Sequence, residues 1–513
     1  MIYVLTPHQM RAADAAAMAT IGESVLMQNA GARVASLAVR FAGPGPIVAF
    51  AGLGNNGGDA FAACTELRAR FSQTECVVYA AENAAVSAAR QDAEKAAAAA
   101  GVKREPLPQN EAAAASAVRD AGLVIDALFG TSSRLPIGEP YISIIRALNG
   151  SPVPVLAIDI PSGIDPLTGA AGDAAVRARA TVTLGALKPG LMLDPARAFV
   201  GSLFLADIGL TDEQLEAQQD GFAALDAAEF VSLLPVRGAT ADKRAAGAPL
   251  IVAGSQQFPG AAVLCARAAA RAGAGYVTLA TLSKAAPTLR AHLVEEVVTE
   301  IADHATVEDA IEALLETAKH CSAIGVGPGL PLDARTGEIV RGFLRKTTLP
   351  FVADASALFH FAKHLDVLDT PRALITPHAG EFARLSGKGT VADDARVARL
   401  REFVERTHCT TLLKGRTTLI DDGTTVHMNL SGTPALATAG TGDVLTGMIA
   451  TLLAQGLKPV DAARLGAYWH GLAGSHCARE RSRGVLAGDL PDALAAAIPK
   501  APASTDLQLV FKA

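Results

Sequence analysis

Ala51-Gly-Leu-Gly-Asn-Asn-Gly-Gly-Asp59 lies between the apolar run Pro46-Ile-Val-Ala-Phe-Ala51 and the Ala-rich stretch Ala60-Phe-Ala-Ala-Cys-Thr-Glu-Leu. The apolar run reads as a strand buried on both faces, and the Ala-rich stretch as a helix. A glycine-rich turn between them exposes backbone N–H groups at the positive end of the helix, which suits phosphate. Taken alone the loop is a weak functional signal, because tight turns need glycine in any case.

The same alternation extends through most of the chain. Apolar runs ending in Gly, Asp or Lys recur at Leu123-Val-Ile-Asp126, Val155-Leu-Ala-Ile-Asp159, Leu250-Ile-Val-Ala253, Ala323-Ile-Gly-Val326, Phe351-Val-Ala-Asp354 and Thr411-Leu-Leu-Lys414. Short strands separated by helices predict α/β architecture with mostly parallel sheets. A polar seam, Thr211-Asp-Glu-Gln-Leu-Glu-Ala-Gln-Gln-Asp220 followed by Pro235-Val-Arg-Gly-Ala-Thr, interrupts the pattern, which restarts at Leu250. The expected domains are therefore 1–212 and 236–513.

Composition narrows the function classes. Half of the 513 residues are hydrophobic and 19% are charged, so large cores are expected and disorder is not. A net charge of −6 without a long basic run argues against nucleic acid as a partner. The six cysteines are scattered and form no C-x-x-C pair, which predicts reduced thiols and no zinc site. The first residues, MIYVLTPHQMRAADAA, show no secretory signal. The most apolar long stretch, roughly 435–457, contains Asp443 with several Gly and Thr and reads as a buried loop and helix. A cytoplasmic homo-oligomer without a membrane partner is expected.

Three strand ends converge on one expectation. Asp126 leads into Ala-Leu-Phe-Gly130, Asp159 leads into Ile-Pro-Ser162, and Asn55-Asn56 follows the first strand. Ligands of open parallel sheets gather at the carboxyl ends of strands, so a shared polar site is favoured over three unrelated caps. In the second half, Gly440-Thr-Gly-Asp443 opens an apolar helical run. Asp443 is then either a cap in the first turn or a base placed to take a proton from a hydroxyl attacking phosphate. The two flanking glycines and the buried helix favour the base.

These motifs carry a resemblance. Gly-x-Gly-Asn-Asn-Gly-Gly-Asp, Asp126-Ala-Leu-Phe-Gly-Thr131 and Asp159-Ile-Pro-Ser-Gly-Ile-Asp165, with Leu26-Met-Gln-Asn-Ala-Gly31, resemble the Rossmann-like epimerase domain of the NAD(P)H-hydrate repair family over roughly 1–212. Pro259-Gly-Ala-Ala262, Gly327-Pro-Gly-Leu330, Thr376-Pro-His-Ala-Gly-Glu381, Leu413-Lys-Gly415 and Gly440-Thr-Gly-Asp443 resemble its ribokinase-like, ADP/ATP-dependent dehydratase branch over roughly 236–500. The resemblance implies repair of hydrated NADH or NADPH, with adenine nucleotide and Mg2+ as co-substrate in the second domain. It implies that Asn55, Asn56, Gly57, Gly58 and Asp59 hold the hydrate, joined by Gly130, Thr131, Ser132, Ser133, Arg134, Leu135, Pro136 and Asp159. Residues matching Asn56, Asp126 and Ser162 would hold potassium, a fit for hard oxygen donors. In the second domain Ala262, Gly329, His378 and Asp443 would meet the hydrate. Lys414, Gly415, Arg416, Thr417, Thr418 and Gly442 would meet the nucleotide.

For the epimerase chemistry, an acid/base pair must assist loss and return of a ring hydroxyl. Asp159 is the favoured candidate. Lys188 is the second, and reads equally well as a surface lysine. The chain departs from the family pattern at Ala60, at Ser132 or Ser133, and at Asp242, Arg244, Ser356, Phe359 and Thr433. Two other readings stay open: a small-molecule kinase with a regulatory nucleotide-binding front domain, and a front domain that binds without turnover.

Overall fold

The computed structural model describes residues 2–82, 86–132, 135–238, 242–282, 284–389, 395–481, 483–500 and 507–512. Ser133 and Arg134 lie outside them. The chain folds into two units, each built on one sheet.

The front sheet contains β1 (Ile47–Ala51), β2 (Cys76–Ala80), β3 (Lys103–Pro106), β4 (Leu123–Ala127), β5 (Val155–Ile158), β6 (Ala180–Leu184) and β7 (Ser202–Ala206). They run parallel in the order β7-β6-β5-β4-β1-β2-β3. The strand order reverses between β1 and β4, so the loops leaving these two strands part to opposite sides and open a crevice. Alternation decides which side chains go where. Ile47, Ala49 and Ala51 pack with Leu26, Val34, Phe61 and Leu67 from the helices Glu23–Phe41 and Asn55–Arg70. Val48 and Phe50 pack on the other face with Ile144, Ile145 and Leu148 from Tyr141–Gly150. Gly31 lets the first two helices touch, since a Cβ there would lie 2.5 Å from that of Ala62.

The back sheet contains β8 (Phe222–Ala224), β9 (Pro249–Val252), β10 (Thr278–Leu282), β11 (Val297–Ile301), β12 (Ala323–Val326), β13 (Phe351–Ala353), β14 (Ala373–Ile375), β15 (Thr410–Leu413), β16 (Leu419–Asp421) and β17 (Val426–Met428). The order is β11-β10-β9-β12-β13-β14-β15-β16-β17-β8, parallel from β11 to β15, with β16 antiparallel to both β15 and β17. Helices Pro259–Arg271, Thr441–Ala454 and Pro459–Glu480 cover one face through Cys265, Met448, Ile449 and Leu465. Here the order reverses between β9 and β12.

Two boundaries differ from the expected 1–212 and 236–513. The division falls near residue 224, because the supposed seam folds into a short capped helix, Asp212–Glu216, and into β8. The last strand, β18 (Leu507–Phe511), leaves the back unit and pairs antiparallel with β7 of the front sheet. Arg197 stacks on the Phe511 ring at 3.7 Å from its centroid. An edge strand needs only a register partner and a little apolar contact, so five residues far away in sequence suffice. Among the described residues no helix is long and apolar enough to cross a membrane.

Candidate active sites

The front crevice is a cavity of about 630 Å³ at the carboxyl ends of β1, β4 and β5. Its first wall is the glycine loop. Gly52 must lack a side chain, since a Cβ would fall 1.8 Å from the Leu128 carbonyl oxygen. Gly57 and Gly58 are also close-packed, against the Gly52 carbonyl and Met27 respectively, and they do not line the cavity. Asn55, Asn56 and Asp59 do line it, with Gly130, Thr131 and Ser132; Leu135 and Pro136 stand outside the lining.

Asn56, Asp126 and Ser162 converge. The Ser162 hydroxyl donates to Asp126 Oδ1 at 2.7 Å and its N–H donates to Oδ2 at 2.8 Å. The Phe129 N–H donates to Ser162 Oγ, and Asn56 Nδ2 donates to the carbonyls of Phe129 (2.9 Å) and Ile158 (3.2 Å). With its NH2 so engaged, Asn56 keeps its amide oxygen available. Burial pushes the Asp126 carboxyl up to about 6, against the hydrogen bonds from Ser162 and Leu128.

Asp159 sits at φ 64°, a left-handed conformation uncommon for a residue with a side chain. Its Oδ1 accepts from Lys188 Nζ at 2.6 Å and from the Thr183 hydroxyl at 3.2 Å, and its Oδ2 accepts from the Thr131 N–H at 3.2 Å. Lys188 is not a surface lysine. Its side chain is 1% exposed, and Nζ also donates to Thr183 Oγ1 and the Leu184 carbonyl. All three ammonium hydrogens are used, so Lys188 is a fixed countercharge to Asp159.

The back site is assembled from strand ends in the same way. Gly254 follows β9, Gly329 follows β12, Asp354 follows β13, His378 follows β14 and Lys414 follows β15. Lys414 Nζ donates to Asp354 Oδ1 at 2.8 Å, and the Thr446 hydroxyl donates to Oδ2 at 3.2 Å. Both charged groups face Gly442, where a Cβ would lie 3.3 Å from Asp354 Oδ2 and 3.4 Å from Lys414 Nζ. The helix Thr441–Ala454 starts at Gly440, φ 93°, with no side-chain cap. Asp443 accepts no hydrogen bond from any described residue, so capping does not explain it. Burial, with the nearby Asp354 charge, pushes its carboxyl up to about 7 against the pull of Lys414.

Two of the residues that the resemblance places at the hydrate also have local structural roles. Ala262 is fully buried and packs beneath Gly254, so it shapes the floor and presents no surface. His378 is the N-cap of Ala379–Ser386: its Nδ1 accepts from the Gly380 and Glu381 N–H groups, and Glu381 returns a bond to its backbone. The ring is 62% exposed, and its Nε2 stands 3.5 Å from the Glu381 carboxylate.

Sequence reasoning missed two buried arginines. Arg90 is 0% exposed and donates to the carbonyls of Gly52 and Gly54 while pairing with Glu94 at 3.0 Å. Arg396 is 7% exposed and donates to the carbonyls of Leu413, Lys414 and Thr417. Each guanidinium sits behind a glycine loop, turning its carbonyls inward and adding positive charge beneath it. Gly415 permits the second approach, since a Cβ there would lie 2.4 Å from Arg396 Nη2. Neither position carries a motif, and an arginine in a polar helix reads as exposed.

With this geometry in place, comparison with known proteins is decisive. The bifunctional NAD(P)H-hydrate repair enzyme Nnr of Moorella thermoacetica is 37% identical over 513 residues, covering 96% of each chain. That of Thermofilum pendens is 35% identical over 482 residues, covering 92% of this chain and 90% of the relative. The chain belongs to the family of bifunctional NAD(P)H-hydrate repair enzymes. Within it, residues 23–190 match the family described as YjeF-related protein N-terminus and 249–496 match NAD(P)H-hydrate dehydratase. Among solved structures, the Bacillus subtilis ADP/ATP-dependent NAD(P)H-hydrate dehydratase co-crystallized with ATP/Mg2+ is 29% identical, covering 53% of this chain and 96% of that one, with a TM-score of 0.46. The first of these two family matches spans β1 to β6 with Asn56, Asp126 and Asp159, and the second spans β9 to β17 with Asp354, Lys414 and Asp443.

Proposed function

We propose that the front unit interconverts the two configurations of hydrated NADH or NADPH, and that the back unit returns one of them to the reduced dinucleotide at the expense of adenine nucleotide. The observation that carries the second half is the juxtaposition at Gly442 of an uncapped helix N-terminus, Lys414 and the unbonded carboxylate of Asp443. Helix N–H groups and an ammonium hold phosphate oxygens, while a carboxyl near 7 takes the proton of the attacking ring hydroxyl. Phosphate then leaves the ring carbon with the carbon–oxygen electron pair, and the neighbouring ring carbon gives up a proton to restore the double bond. Lys414, Gly415, Arg416, Thr417, Thr418 and Gly442 would hold the nucleotide with its Mg2+. Gly329, His378 and Asp443 would face the hydrate.

In the front unit Asn55, Asn56, Asp59, Thr131 and Ser132 line the cavity for the dinucleotide, and Asp159 is the anionic group facing the ring. Asn56, Asp126 and Ser162 offer an amide oxygen, a carboxylate and a hydroxyl in one cluster, a donor set suited to potassium. When bound, that ion would supply positive charge next to the loop and keep Asp126 ionised.

The deciding experiment is recovery of the reduced-nicotinamide absorbance when the full chain meets hydrated NADH with ADP or with ATP. Restored NADH and free phosphate are expected. A stable phosphorylated product would favour the small-molecule kinase reading.

A further inference from the structure

The front cavity holds more carboxylates than its cations can pair with. Asp159 is fully answered by Lys188, Thr183 and Thr131. Two others have no such answer. Asp59 is 7% exposed and Asp14, on the helix Pro7–Ile21, is half-buried; neither bonds to a described residue, and both line the cavity with Asp159 and Lys188. Lys188 cannot serve as the proton donor, because its three N–H groups are committed and giving one up would leave Asp159 buried and unpaired.

We propose that Asp14 is the acid that protonates the departing ring hydroxyl and then recovers its proton from the water that returns, with Asp159, fixed in place by Lys188, beside the cationic ring. This rests on the reading of the front unit as an epimerase. In the forward step the carbon–oxygen bond of the hydrated ring breaks, its electron pair leaves with oxygen, and the Asp14 proton joins it to release water. The ring nitrogen's lone pair fills the gap, giving a cation. The cationic ring then turns its other face to Asp14, and water adds there and yields its proton to Asp14. Nothing is oxidised or reduced.

The protonation states agree with this division. Burial raises Asp14 to about 6, with Lys188 pulling it down and Asp159 pushing it up. An acid that must give and retake a proton works best near the ambient pH. Asp59 is pushed well above the usual range by burial and by Asp159, Asp14 and Glu23. Arg11, Glu23, Asp59, Asp159, Lys188 and Tyr141 are the charged or titratable side chains that share the cavity with Asp14.

The test follows R-to-S conversion chromatographically, without nucleotide, in the full chain carrying Asp14→Asn or Asp14→Glu. Asp14→Asn is expected to lower kcat by about 100-fold or more, with KM within a few-fold and nucleotide-dependent dehydration of the S form unchanged. Wild-type kcat should fall as pH rises through about 6, and this limb should vanish in Asp14→Asn and return in Asp14→Glu. Asp14→Asn turnover near wild type, or a reduced rate that keeps the limb, would overturn the assignment alone. Wild-type protein that fails to interconvert the epimers would overturn the epimerase reading, and the assignment with it.

Discussion

Both units end a central strand on an aspartate paired with a lysine, and the two pairs differ in what the lysine has left over. Lys188 is 1% exposed and its three hydrogens are taken by Asp159, Thr183 and Leu184. Lys414 is 24% exposed and meets one acceptor, Asp354, 2.8 Å away. A saturated ammonium can only set the charge of its neighbour. An unsaturated one still has hydrogens for an incoming phosphate. On the proposed reading, the same pairing would serve a ring cation in front and a transferred phosphoryl group behind. In each unit a further carboxylate, Asp14 or Asp443, is left without a cation of its own and is held near neutral pH.

Replacing that last group should break the back half most severely. Asp443→Asn is expected to cut nucleotide-dependent dehydration by about 1000-fold while epimerisation continues. Since the residue caps nothing, the fold should survive, and absorbance recovery with S-hydrate and ADP or ATP measures the loss. Near-normal turnover would remove Asp443 from the chemistry.

The lysines should then separate. Lys188→Met leaves Asp159 buried without its partner, a loss on the order of 3–5 kcal/mol, visible as a lower melting temperature of the front unit. Lys414→Met, at a partly open site, should change melting little and raise the nucleotide KM instead. Equal melting losses would mean that both pairs are structural. The arginine clamps come next: Arg90→Lys and Arg396→Lys each keep charge but lose the fork that reaches several carbonyls. Each is expected to weaken dinucleotide or nucleotide binding by about tenfold, near 1.4 kcal/mol, measured by calorimetry.

A pH series sharpens the contrast further. Dehydration should rise as pH rises through about 7, where Asp443 ionises. The stability effect has the opposite sign. A carboxyl raised in the folded state binds its proton more tightly there than when unfolded, so stability is lost as pH climbs from about 4 towards 7. Asp443→Asn should therefore flatten that decline in thermal melts. The smallest effect belongs to the terminal strand: removing 507–513 uncovers the edge of β7 and should lower front-unit melting by a few degrees, for a loss of about 1 kcal/mol, with activity retained.

Much of the site was legible because motif residues follow apolar runs. Asn56, Asp126 and Ser162 could be grouped from their strand-end positions, and the structure bonds Asp126 to Ser162 directly and links both to Asn56 through Phe129. Lys188 remained ambiguous in sequence because the carboxylate that holds it, Asp159, lies far back along the chain. His378 and Ala262 belong to recognisable motifs, yet one caps a helix and the other lies under a glycine. Asp14, Arg90 and Arg396 belong to none.

The sequence by itself determined the α/β alternation, the two sheets, the glycine turns and membership of the repair family, all set by local pattern and motif. The tertiary structure alone decided that β18 returns to the front sheet, which arginines lie behind the loops, and which carboxyls keep a proton. These depend on pairing, burial and the field of groups distant along the chain. Asp443 is raised by burial and by the charge of Asp354, and Asp159 is held by its 2.6 Å contact with Lys188.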